Sequence, residues 1–407
     1  MENIENKIPN GENQDTQNSS FFSENVSSSN GLEAKFPLLR FRKFSHPWKQ
    51  EKLSNFTSRI MRKNSNNETE LPLTISSKDG LVDQVTFFNK KVSSKDMSGY
   101  YLLKNGEFAY NKSYSNGYDF GSIKRLERYE MGALSTLYIC FSLKKHCSDY
   151  IKHYFDSLKW YRQIYVISAE GARNHGLLNV PTDDFFATTH YLSPYMEEQQ
   201  KIANFLSLVD QRIEKQRQLV ESLKKYKRGL LSAIFDKISS TSTLTLGEIC
   251  NITTGKLDAN AMVVGGKYRF YTCAREYFEI DTYAFDTDAL LISGNGANVG
   301  YIHHYCGKFN AYQRTYVLDG FQENIMYIYY YLQANLHPRI EAEKKAGNTP
   351  YIVLSTLSDM LIKLPAKERQ NNIAKIFAIL DKKIMVENDV LERLNTQKQG
   401  LLQQMFI

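Results

Sequence analysis

Residues 197–235 read EEQQKIANFLSLVDQRIEKQRQLVESLKKYKRGLLSAIF, and residues 368–406 read ERQNNIAKIFAILDKKIMVENDVLERLNTQKQGLLQQMF. The two stretches align without a gap at a constant offset (368 minus 197 is 171) and are identical at 13 of 39 positions, with Pro194 matching Pro365 just ahead of them. A repeat constrains the architecture more than any local propensity does, because each copy must bury an equivalent face. Each copy follows a proline and opens on a polar turn, as a helix start does.

Apolar residues in the first copy recur at gaps of three and four: Leu206, Val209, Ile213, Val220, Leu223, Leu230 and Ile234. The second copy places Phe377, Leu380, Ile384, Leu391, Leu394, Leu401 and Met405 at the same positions. This is the seam of a coiled coil. Two seam positions are polar in both copies, Gln216 with Glu387 and Lys227 with Lys398. A polar seam residue weakens packing but restricts register, so matched interruptions predict that the two helices pair with each other. Each helix would extend on the order of 55 Å, against about 34 Å for one turn of B-DNA. An antiparallel pair would make a rigid spacer with the domain preceding each helix at an opposite end.

At 407 residues the chain exceeds what one core usually organises. Lys and Arg exceed Asp and Glu by 51 to 44, and the excess is clumped. Residues 33–63 hold nine basic side chains (Lys35, Arg40, Arg42, Lys43, Lys49, Lys52, Arg59, Arg62, Lys63) against Glu33 and Glu51. Such a segment is either a solvated basic face or a polyanion contact that gains from counterion release. Five cysteines without a C-x-x-C pair indicate a reducing cytoplasm and no structural zinc. No signal segment or membrane-spanning run is visible. Residues 1–36 are predicted to form a disordered polar tail, rich in Asn, Ser, Glu and Gln.

The segments before the two helices differ in sequence, and both read as mixed α/β with short strands. In GYYLLKNGEFAYNKSYSNGYDFGSIKRL (residues 99–126), the pairs Asn105-Gly106 and Asn116-Gly117 are hairpin signals. In DALLISGNGANVGYIHHYCGKFNAYQRTYVL (residues 288–318), the order is strand, glycine turn, strand, loop, strand. Lys, Arg, Asn, Gln and Tyr cluster near these turns, side chains suited to base edges and phosphates.

Catalytic patterns are incomplete. Residues 294–300 imitate a dinucleotide fingerprint with the last glycine one place late and an aromatic, strand-like segment where a helix should begin. There is no Walker A motif. Asn348-Thr349-Pro350-Tyr351 lacks the first proline of the base-binding motif of amino-methyltransferases and reads as a turn. His303 and His304, adjacent on a strand, point to opposite faces and make a poor metal site. Asp183-Asp184 has no lysine completing a nuclease cluster and reads as a solvated acid pair.

The order of parts resembles the specificity subunit of type I restriction-modification enzymes. The two helical stretches quoted above resemble that family's central and distal conserved regions. LRFRKFSHPWKQEKL (residues 39–53), FAYNKSYSNGYDFGSIKRL (108–126) and GNTPYIVLSTLSDMLIKLP (347–365) are similar to its recognition-domain boundaries and interior. The resemblance implies an α/β (α+β) fold: two mixed α/β target-recognition domains, separated and joined by two long antiparallel coiled-coil helices in a pseudo-two-fold repeat. The expected domains are 37–193 and 241–364 for recognition, with the central helix in 194–240 and the distal helix in 365–407.

Each recognition domain would read half of a split double-stranded DNA target. The partners implied are two modification subunits, which use S-adenosylmethionine to methylate adenine N6, and restriction subunits, which use ATP and Mg. The chain itself would carry no catalytic residue, metal or cofactor. Position and side-chain type nominate Lys112, Tyr114 and Asn116 in the first domain, and Asn295, Asn298, Gln313 and Arg314 in the second. Arg42, Lys43 and Lys49 are nominated as phosphate clamps. The competing readings are a self-contained DNA methyltransferase or nuclease, and a coiled-coil adaptor unrelated to DNA.

Overall fold

The computed structural model describes residues 34–90, 93–94, 96–168, 178–343 and 351–407. Most of the segment read as a polar tail lies outside them. Order is present by Lys35, whose carbonyl accepts from the Trp48 amide at 2.9 Å, so the fold begins inside the last residues of that segment. The chain packs as two units, Met1–Gln199 with Gln404–Ile407, and Gln200–Gln403.

The first unit carries two four-stranded sheets. One runs in the order Thr57–Arg59, Ile139–Leu143, Phe108–Asn111, Ser122–Arg125, and the other Gly80–Asp83, Pro72–Ser76, Met131–Leu134, Tyr101–Lys104. Its interior is aromatic: Phe108 stacks on Phe141 at 5.4 Å and Tyr110 on Phe185 at 5.0 Å, all four buried. Such offset pairs add stabilisation beyond the area they bury. The two Asn-Gly pairs differ. Asn116-Gly117 sits at the tip of a hairpin whose strands Phe108–Asn111 and Ser122–Arg125 do pair. Asn105-Gly106 joins strands that belong to different sheets and makes no hairpin. Only the glycine of each pair has positive φ (Gly106 +83°, Gly117 +80°), so the same local turn serves a hairpin in one place and a crossing between sheets in the other. The Asn105 amide is instead tied to the carbonyls of Glu127 and Tyr129.

His190 is enclosed in this unit. Its Nδ1 accepts from the Tyr154 hydroxyl (2.8 Å) and its Nε2–H donates to Thr188 Oγ1 (2.9 Å), whose own proton goes to the Phe185 carbonyl. Burial lowers its pKa to about 3. The unfolded imidazole binds a proton below its ordinary value near 6.5 and the folded one does not, so stability falls as pH drops from there toward 3, by about 1.4 kcal/mol per pH unit. Urea midpoints followed by tryptophan fluorescence report this unit, since Trp48 and Trp160 are the chain's two tryptophans. The slope below pH 6.5 should be shallower in His190→Asn, and an equal slope would contradict the assignment.

The second unit holds a six-stranded sheet in the order Asn251–Thr254, Thr315–Asp319, Phe285–Ser293, Ile302–Ala311, Tyr268–Tyr271, Phe278–Ile280. Alternation along Phe285–Ser293 splits its side chains between two cores. Leu290 and Ile292 pack with helix Ile325–Glu343, and Ala289 and Leu291 pack with Tyr271, Phe309 and Val317.

The same frame opens and closes both units. Lys49–Lys52 pairs antiparallel with Thr189–Leu192, and Ser242–Thr245 with Leu361–Leu364. A four-residue helix follows each opening strand, Leu53–Phe56 and Leu246–Ile249, and each closing strand leads into a long helix. A buried glutamine fastens each long helix to its unit. Gln199 donates to the Ser193 carbonyl and accepts from the Cys147 amide at the start of helix Ser148–Asp156. Gln370, its repeat equivalent, donates to the Pro365 carbonyl and accepts from the Asn324 amide at the start of helix Ile325–Glu343.

The long helices are Met196–Asp236 and Lys367–Met405. Along their seam Leu206, Ile213, Val220, Phe377 and Leu394 are buried, and Val209, Leu223, Leu380, Ile384 and Leu391 are half-buried. Lys227 pairs with Asp381 and Lys398 with Asp210, each at 2.6 Å. As one helix's numbers rise the other's fall, so the helices are antiparallel. The two ion pairs exchange under the repeat, because Asp210 matches Asp381 and Lys227 matches Lys398. Near the dyad the Gln216 amide donates to the Glu387 carboxylate at 2.7 Å, so one repeat position meets its own counterpart. The polar interruptions of the seam are thus satisfied in pairs, and they disfavour any register that would separate them.

Candidate nucleic-acid interface

Three loops of the second unit converge. The turn after strand Phe285–Ser293 carries Asn295 and Asn298, the link between Ile302–Ala311 and Thr315–Asp319 carries Gln313 and Arg314, and the loop after Tyr268–Tyr271 carries Cys273 and Arg275. The Gly294 amide donates to the Arg314 carbonyl at 2.9 Å. A Cβ on Gly294 would sit 2.4 Å from that oxygen, so glycine is needed for the approach. The Asn298 amide donates to the Cys273 carbonyl (3.1 Å) while its oxygen accepts from Arg275 Nε (3.2 Å). The Gln313 amide donates to Asp258 at 2.9 Å. Arg314 is exposed, and among the described residues its guanidinium meets no acceptor. The four residues nominated in this half of the chain are therefore brought together, with Asn298 and Gln313 held and Arg314 free.

The first unit's nominees fall into two groups. Tyr114 and Asn116 are exposed at the hairpin tip, and Lys112 at its base lines a cleft with Arg59, Tyr101 and Tyr138. Burial lowers the Lys112 pKa. Part of the basic lead-in is held by carboxylates. Arg40 forms a two-pronged pair with buried Glu198 and Lys43 pairs with Glu197, both at the start of the first long helix. Lys49 lies exposed on the opening strand, and Arg42 is exposed beside Lys43. Leu39 donates its amide to the Gln404 carbonyl, and Trp48 packs edge-on against Tyr150 and Phe406. The lead-in thus straps the tail of the second long helix into the first unit.

His303 and His304 do point apart: His303 Nε2 lies 3.0 Å from the Ala274 carbonyl and His304 Nε2 lies 2.7 Å from Asp288. Asp183 and Asp184 are exposed in the first turn of helix Thr182–Ala187, a favourable place for negative charge. Residues 294–300 form a turn with a single 3-10 step between strands. Asn348, Thr349 and Pro350 lie outside the described residues. Among the described residues no group of His, Cys, Asp and Glu could hold a metal ion, and no helix is long and apolar enough to cross a membrane.

Sequence reasoning missed Arg269 and Arg275 with the rings around them. Arg275 lies 5.6 Å from the Tyr301 ring, and Arg269 lies between two tyrosines. The interleaving of Tyr and Arg in YRFYTCAREYF (residues 268–278) was the available signal.

Comparison with known proteins supplies the context. Residues 240–396 match the family described as type I restriction modification DNA specificity domain. The chain is similar to the type I restriction enzyme EcoDI specificity subunit of Escherichia coli, 41% identical over 133 residues, which cover 33% of this chain and 29% of that one. It is 26% identical over 234 residues to a type I specificity subunit of Mycoplasma genitalium, covering 51% of this chain and 59% of the relative. These matches span less than two thirds of either curated relative. The crystal structure of the type I restriction-modification S subunit from M. genitalium shares the fold, with TM-score 0.55 and 18% identity over 91% of this chain and 99% of that one. The resemblance to that family is therefore present in sequence over residues 240–396 and in fold over 91% of the chain.

Proposed function

We propose that this chain is the DNA-recognition subunit of a type I restriction-modification complex. Each sheet-rich domain reads one half of a bipartite duplex target, while the antiparallel helices set the spacing and dock the modification subunits. The observation that carries this reading is the duplicated frame. Two otherwise unlike domains open and close on the same strand pairing and hang from repeated helices by the same buried glutamine. A constant frame with variable inserts is what a protein needs if its geometry must persist while its readers change.

Loop tips carrying Asn, Gln and an unneutralised Arg supply the donors and acceptors for base edges and phosphates. On the long helices, Leu208 and its repeat equivalent Ile379 are 63% and 71% exposed, which suits two equivalent partner contacts. The chain does no bond chemistry of its own in this reading. S-adenosylmethionine, ATP and Mg belong to the two modification subunits and the restriction subunits, and the complex works in the cytoplasm.

Arg314→Ala tests the reading directly. Methylation of duplexes by the chain with its modification partner should weaken or lose selectivity at one half-site only, by about 5- to 100-fold for a base contact. Unchanged methylation at the full split target would remove Arg314 from the interface.

A further inference from the structure

We propose that Arg269 reads a guanine in the half-site of the second unit, an inference that rests on the DNA-recognition reading above. Arg269 lies on strand Tyr268–Tyr271. Its guanidinium carbon is 4.3 Å from the Tyr277 ring centroid and 4.5 Å from that of Tyr305, and its Nη1 donates to the Tyr271 hydroxyl at 3.3 Å. Two aromatic faces and one hydrogen bond fix the guanidinium without neutralising it.

The contrast with other arginines is direct. Arg40, Arg62, Arg125, Arg217 and Arg339 each face a carboxylate. Among the described residues Arg269 makes no ion pair, its cross-strand neighbour Glu279 accepting instead from the Gly265 amide, and the rest of its fork has no acceptor. The cage is continuous with the convergent loops. Tyr277 ends the loop in which Cys273 and Arg275 hold Asn298, and the Tyr271 ring lies tilted 5.0 Å from that of His303, itself tied to the Ala274 carbonyl of that loop.

A phosphate needs positive charge, which an exposed, mobile side chain delivers. A planar fork locked by stacking matches something planar with two adjacent acceptors, and in the major groove the guanine N7 and O6 offer that pair. Lysine at this place would keep the charge and lose the fork.

The test uses the full chain with its modification partner, comparing wild type, Arg269→Ala and Arg269→Lys. Genome-wide N6-methyladenine maps are combined with methylation of duplex oligonucleotides. In both variants one G·C position in one half of the motif should become degenerate, with discrimination reduced on the order of 10- to 100-fold, while the other half stays intact. Misfolding would abolish methylation everywhere, so relaxation at one position is not a folding artefact; if Arg269→Ala does not fold, Arg269→Lys decides. An even loss at all sites in Arg269→Ala, restored by Arg269→Lys with the motif unchanged, would make the group a phosphate contact and overturn the proposal. Unchanged motif and affinity in both variants would overturn it too. Absence of any two-part motif with the wild-type chain would defeat the DNA-recognition reading, and this proposal with it, so the wild-type arm distinguishes the two failures.

Discussion

Glu198→Ala should cost the first unit about 3–5 kcal/mol, the usual penalty for removing one partner of a buried ion pair. Glu198 is wholly buried at the start of the first long helix and accepts from Arg40 Nε (2.6 Å) and Nη2 (2.9 Å) as well as from the Ser193 hydroxyl. Arg40, only 11% exposed, would keep its charge and lose the carboxylate that balances it. The repeat does not supply a substitute, because the equivalent position in the second copy is Arg369. The double replacement Arg40→Leu with Glu198→Leu should recover most of the loss, since an apolar pair of similar volume is often neutral against a buried ion pair. Urea midpoints followed by the two tryptophans measure both effects. A cost below about 1 kcal/mol for the single change would mean that water reaches the site or that Arg40 finds another acceptor.

Phe377→Ala should cost about 3–5 kcal/mol, and Leu391→Ala on the same seam clearly less. Phe377 is fully buried where both long helices meet helix Ile325–Glu343, 6.2 Å from the stacked ring of Phe235 and 4.9 Å from that of Tyr330. Its loss opens a cavity that three helices would have to move to fill. Leu391 is half-buried, so its truncation returns less surface to water and leaves a smaller void. Helical ellipticity against urea compares the two. Equal costs would show that the seam, and not this junction, limits stability.

The helix seam was legible because its signal is local and doubled: the three-four spacing appears within each copy, and the second copy repeats even the polar interruptions. The partners of those interruptions were not read out, although Asp210 and Asp381 are identical residues at a fixed offset. Their meaning depends on the antiparallel register, which no single helix encodes. The shared frame that opens and closes the two units left almost no sequence trace. Along the opening segments Leu53 and Leu246 coincide, while the resemblance is made by backbone pairing, which tolerates most side chains. The Asn105-Gly106 turn misled because a glycine with positive φ serves a hairpin and a crossing between sheets equally well.

The candidate interface was half legible for a similar reason. Asn295, Asn298, Gln313 and Arg314 flank strands that the alternation already outlined. That a third loop joins them follows from the parallel pairing of Arg269, Phe270 and Tyr271 with Phe309, Asn310 and Ala311, a contact between distant segments with no local marker. The basic lead-in has a use that clumped charge does not announce: Arg40 and Lys43 are held by Glu198 and Glu197 at the start of a helix, while Arg42 and Lys49 are exposed.

The most direct measurement is a genome-wide map of N6-methyladenine in the host with and without this chain. The account predicts that deletion removes one motif made of two short specific parts with a fixed gap, and that both parts vanish together. Loss of an ungapped motif, or a map identical in the two strains while the modification partner is expressed, would contradict the claim that two readers on one helix frame select the target.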